Sequence, residues 1–72
     1  MSLYRLSGYV EAPDGTGYAP MFYGTRGQCF QLGDSILIGA THRGDRARVT
    51  VSEPNGRVVL TRHVRQIEEV AS

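Results

Sequence analysis

The chain predicts an all-β fold: a small barrel or sandwich of five to six short antiparallel strands, followed by a short C-terminal helix. Three observations carry this expectation. Residues 46–51 alternate strictly, with Ala47, Val49 and Val51 opposite Arg46, Arg48 and Thr50, the period of a strand with one buried face. Asn55-Gly56 follows, a dipeptide that tolerates the positive φ of a tight hairpin turn. Turn residues at 12–17, 24–27, 33–34 and 43–45 cut the remainder into strand-length pieces.

Taken in order, residues 3–11 alternate loosely, with Tyr4, Leu6 and Val10 on one side and Arg5, Ser7, Tyr9 and Glu11 on the other. The run from Tyr18 to Tyr23 is the returning strand, which Pro20 confines to an edge or splits. Thr25 and Arg26 lie between two glycines in a short connection. Residues 28–32 are expected as a strand with Phe30 and Leu32 inward, and residues 35–40 as another with Ile36, Ile38 and Ala40 on one face. Residues 57–64 pair back onto the strand that starts at Arg46. Two registers are open: a loop of Asn55-Gly56 alone sets Val51 against Leu60 and Val49 against Arg62. A three-residue loop including Pro54 sets Val51 against Val59 and Val49 against Thr61. The second is preferred, because proline cannot donate a ladder hydrogen bond. Val64, Ile67 and Val70 recur at helical spacing and predict the terminal helix.

A chain of 72 residues makes one domain, 1–72, with residues 3–23 as an N-terminal hairpin extension and residues 24–72 as its core. So short a chain buries only about 60% of its unfolded surface, and a second subunit is a common remedy. Cys29 is the only cysteine. That excludes an internal disulfide and, with no signal peptide or membrane span in view, points to the reducing cytoplasm. Cys29, His42 and His63 have neither metal-motif nor catalytic spacing, so no enzyme, cofactor or metal is expected.

All eight basic residues are arginine, and six of them fall between Gly33 and Arg65. A GC-rich genome alone could account for arginine in place of lysine. The cluster still leaves residues 42–66 locally at about +4, a surface that attracts nucleic-acid phosphates.

The series Gly27, Leu32-Gly33-Asp34, Ile36 and Ile38, Gly44, Arg48 to Pro54, and Val58-Val59-Leu60-Thr61-Arg62 resembles the carbon storage regulator family over residues 20–70. Residues 1–20 have no counterpart there, and Thr25-Arg26 lies closer to Gly27 than the family's Thr-Arg lies to its glycine. The resemblance implies a five-stranded chain whose homodimer interleaves strands and binds single-stranded GGA loops of messenger RNA. It implies a post-transcriptional regulator in which Arg62 is a principal contact. Arg26, Arg57, Thr25 and His63 would assist at the RNA site, with Phe22 and Val58 giving apolar contact to bases. Substituting Arg62 with alanine would then weaken RNA binding by about 1–3 kcal/mol. The alternative is a small SH3-like or OB-like barrel that docks a protein partner through Tyr4, Tyr9, Tyr18 and Tyr23.

Overall fold

Alternation of Leu6 and Val10 with Arg5 and Tyr9 makes Tyr4–Glu11 the first strand, β1, with both apolar residues buried. The computed structural model describes residues 3–64. A turn follows in which Gly15 N donates to Ala12 O at 2.9 Å and the Asp14 carboxylate accepts from Thr16 N and Oγ1 at 3.0 and 2.7 Å. The returning segment forms β2 (Gly17–Tyr18) and β3 (Met21–Gly24). Both pair antiparallel with β1 in one continuous register, Val10 against Tyr18 and Leu6 against Phe22. Ala19-Pro20 interrupts them on this outer edge, where the missing N–H costs the sheet least.

The largest departure from expectation comes next. Residues 28–32 and 35–40 are not strands but parts of one 18-residue helix, α1 (Arg26–Arg43). Thr25 caps it: Gln28 N donates to Thr25 Oγ1 at 3.1 Å, and Thr25 N donates to Gln28 Oε1 at 2.9 Å. This reciprocal pair satisfies two amides that a helix start leaves unbonded. Gly44 ends the helix at φ 76°, a left-handed conformation that glycine adopts without a Cβ penalty. Cys29, Gly33 and Ala40 are buried, with Ile36 and Leu37 half-buried, a stripe of period 3.6. The alternation of Ile36, Ile38 and Ala40 is too short to separate a strand from a helix, and Ile38 is 59% exposed.

Two strands complete the sheet, β4 (Arg46–Ser52) and β5 (Val58–Val64). β4 follows the predicted alternation, Ala47, Val49 and Val51 being buried and Arg46 and Arg48 exposed. It pairs with β1 over seven residue pairs, from Arg5↔Ser52 to Glu11↔Arg46. The order is β2 or β3, then β1, β4 and β5, all neighbours antiparallel. The described strands thus form one open sheet with α1 on one face, and they do not close into the expected barrel. The terminal helix expected from Val64 onward lies outside the described residues.

The β4–β5 hairpin contains both registers considered from the sequence. Its loop is Pro54-Asn55-Gly56, closed by Glu53 N donating to Arg57 O and by Gly56 N donating to Glu53 O, each at 2.8 Å. Next to this three-residue loop Ser52 pairs with Val58. A bulge between Val51 and Ser52 then slips the ladder by one, setting Val51 against Leu60 and Val49 against Arg62. The preferred pairing of Val51 with Val59 is therefore corrected. The slip lets Val59 and Leu60 both pack against the Leu6, Cys29 and Val51 cluster.

The core lies between α1 and the β1–β4 pair. One cluster is Leu6, Cys29 and Val51; the other is Val10, Ala40 and Ala47. Gly33 lets the helix lie close to the sheet, since a Cβ there would stand 3.3 Å from Leu6 Cδ1 and 3.6 Å from Val49 Cγ2. No helix among the described residues is long and apolar enough to cross a membrane.

Candidate nucleic-acid interface

The only described helix lies on one side of the sheet, and among the described residues no element packs on the other face, which is bare in that sense. Antiparallel partners point to the same side of a sheet, so the register specifies what that face carries. Arg5 lies between Tyr23 and Ser52; Ser7 lies between Met21 and Thr50, with Thr61 beyond. Tyr9, Arg48 and His63 form the next row, and Glu11 and Arg46 the last. Met21, Tyr23 and Tyr9 are 61%, 55% and 44% exposed, so no described residue covers these large side chains.

Charge on this face is one-sided. Arg5, Arg46 and Arg48 stand against Glu11 alone, and Arg46 lies 4.0 Å from that carboxylate, both side chains half-exposed. Neither Arg5 nor Arg48 has an ion pair among the described residues. Two fixed cations flanked by tyrosines can attract a polyanion and stack its planar groups.

The residues expected at an RNA site fall in three places. Thr25, Arg26 and Phe22 gather at the start of α1, where the Thr25 hydroxyl is engaged as the cap and Phe22 packs on the core. There the Arg26 guanidinium lies 4.9 Å from the centre of the Phe30 ring. Arg57 and Val58 lie at the β4–β5 turn, at the same end of the sheet and exposed. Arg62 is on the helix side, its Nη1 donating to Asp34 Oδ1 at 3.4 Å. It borders a groove of about 480 Å³ lined by Asp34, Leu37, Ile38, Thr41 and His42. His63, beside Arg48, joins the bare face, as does Val58, which pairs with Ser52 in the Arg5 row.

The four tyrosines also divide. Tyr9 and Tyr23 share the bare face, Tyr4 packs on the core from the helix side, and Tyr18 pairs with Val10 on that same side. Arg5, Ser7 and Met21 were not singled out from the sequence. The alternation of residues 5, 7 and 9 and the return of residues 18–23 against them were legible there, but nothing showed that β4 flanks β1 on its other side.

The groups with perturbed acidities lie elsewhere. Burial pushes the Cys29 thiol up, which keeps it protonated and unreactive. The Arg43 guanidinium is held charged by its hydrogen bond to the buried Asp45 at 2.8 Å, fastening the end of α1 to the start of β4. Among the described residues, no group of three or more histidine, cysteine or acidic side chains could hold a metal ion.

No protein-family model, characterised protein or solved structure matches the chain.

Proposed function

We propose that this chain is a non-enzymatic module that binds single-stranded RNA on the helix-free face of its sheet. The observation that carries the reading is the exposure of Tyr9, Tyr23 and Met21 between Arg5 and Arg48, with the one acid of that face already beside Arg46. Aromatic side chains on an open sheet stack unpaired bases, and arginines between them take the phosphates. Duplex RNA does not suit the face, because its bases are already stacked on one another. A messenger-RNA loop does, which accords with a post-transcriptional regulator. The residues this reading uses all belong to one chain, with or without the second copy that the resemblance implies.

The test is fluorescence anisotropy with a labelled hairpin RNA carrying GGA in its loop, against the same sequence as a full duplex. Two phosphate contacts through Arg5 and Arg48 predict a salt slope of about −1.4 for a single strand. Raising salt fourfold would then weaken binding about sevenfold. Arg48→Ala should weaken the loop complex by about 1–3 kcal/mol and flatten the slope by about 0.7. Equal affinity for duplex and loop, or an unchanged complex in the Arg48 variant, would refute the reading.

A further inference from the structure

The bare face carries a spacing as well as a composition. Tyr23 and Met21 are alternate residues of β3, and their partners Arg5 and Ser7 lead along β1 to Tyr9. Tyr23, Met21 and Tyr9 therefore occupy three successive levels of the sheet, each separated from the next by two residues, or about 7 Å. That is about twice the 3.4 Å rise of bases stacked in a helix. Consecutive bases seated on these levels must be pulled apart, each onto its own side chain. Arg5 stands beside Tyr23 on the first level and Arg48 beside Tyr9 on the third, with Met21, Ser7, Thr50 and Thr61 on the level between them. The cations are thus two nucleotide steps apart, and the small hydroxyl side chains of the middle level leave space for the strand.

From this we infer that the face is a three-nucleotide site, in which Tyr23, Met21 and Tyr9 each carry one splayed base and Arg5 and Arg48 hold the phosphates at its two ends. The inference rests on the RNA-binding reading above and adds to it a length and a position for every base. Met21 in the middle gives the central base a polarizable but non-aromatic support, so the outer two bases bind more tightly than the central one.

The experiment is competition against a labelled eight-nucleotide single-stranded RNA by unlabelled oligouridylates of two to eight nucleotides. It is combined with abasic substitutions at each position of the trinucleotide. Affinity should rise at least tenfold from two to three nucleotides, then gain no more than the statistical factor for extra registers. Removing an outer base should cost at least tenfold and the central base several-fold less. Tyr9→Ala should make the RNA indifferent to loss of one outer base, and Tyr23→Ala to loss of the other. Both side chains are exposed, so an unchanged far-ultraviolet spectrum checks that each variant is folded. Affinity that climbs steadily to eight nucleotides, or tyrosine variants that remain equally sensitive at every position, would overturn the three-nucleotide site while leaving RNA binding intact. Failure of the labelled RNA to bind at all would remove both, and would direct attention to a protein partner for the same face.

Discussion

The tightest backbone contact in the sheet offers a demanding test. Gly8 lies midway along β1, opposite Val49 of β4, and a Cβ built on it would stand 1.8 Å from the Arg48 carbonyl oxygen. Real Cβ contacts stay beyond 3.0 Å, so Gly8→Ala must move the two central strands apart or turn the local backbone. The β1–β4 ladder has seven residue pairs, and Gly8↔Val49 is the fourth from either end. Opening it there disturbs two or three hydrogen bonds worth about 0.5–1.5 kcal/mol each. Alanine's smaller loss of chain entropy offsets about 0.4–1 kcal/mol of that. These bounds leave a net loss of up to about 4 kcal/mol, centred on about 2, a large share of the roughly 4–10 kcal/mol available to a domain of this size. Urea unfolding followed by far-ultraviolet circular dichroism reads it directly, because the chain has no tryptophan. Since Arg48 belongs to the bare face, weaker RNA binding should accompany the fall in midpoint. An unchanged midpoint would show that a small backbone rotation clears the methyl group, and the argument from close approach would fail.

Three further outcomes follow from the same geometry. Thr25→Ala removes the hydroxyl that accepts from Gln28 N and should cost about 1 kcal/mol in urea unfolding; Thr25→Asn should recover most of it. Arg62→Ala breaks an ion pair in which both side chains are 58% exposed, so stability should change by no more than about 1 kcal/mol. RNA affinity of that variant should stay within about twofold, because a cation on the helix side does not touch a strand lying on the bare face; a loss of about tenfold would move the site to the helix side. Asp14 is held below the usual carboxylate range by its hydrogen bonds to Thr16. Its stabilisation of the β1–β2 turn is present above the unfolded-state value and is lost as pH falls through the lower folded value. The unfolding midpoint of the native protein should therefore drop more steeply below about pH 4 than that of Asp14→Asn, and parallel profiles would argue against the turn's contribution.

Much of the sheet was legible without coordinates. The alternation in β1 and β4 assigned Leu6, Val10, Ala47, Val49 and Val51 to the core, and all five are buried. The helix was missed, although both its ends are written in the chain. Thr25 and Gln28 have capping-box spacing, and His42, Arg43 and Gly44 form a C-terminal signature of basic residues followed by glycine. Gly27 and Gly33 argued for turns, because glycine weakens an isolated helix by about 1 kcal/mol. In the folded chain Gly33 serves contact instead, letting α1 sit against Leu6 and Val49.

For the candidate site the division is similar. Arg46 with Arg48, and Arg5 with Tyr9, could be assigned to common faces by parity alone. The helix-side placement of Arg62 could not, because a one-residue bulge reverses which side a strand residue faces.

What the amino-acid order determined by itself was local: which residues alternate, where the chain turns, which charges are basic and that one cysteine stands alone. Only the tertiary structure decided that the middle of the chain is helical, that α1 covers one side of the sheet, and that β3, β1 and β4 bring Tyr23, Met21, Tyr9, Arg5 and Arg48 onto the other. The physical reason is that period and turn chemistry act between neighbours in sequence. Strand order and the choice of covered face depend on how the apolar stripe of α1 and the alternating residues of β1 and β4 bury one another, which no single segment specifies.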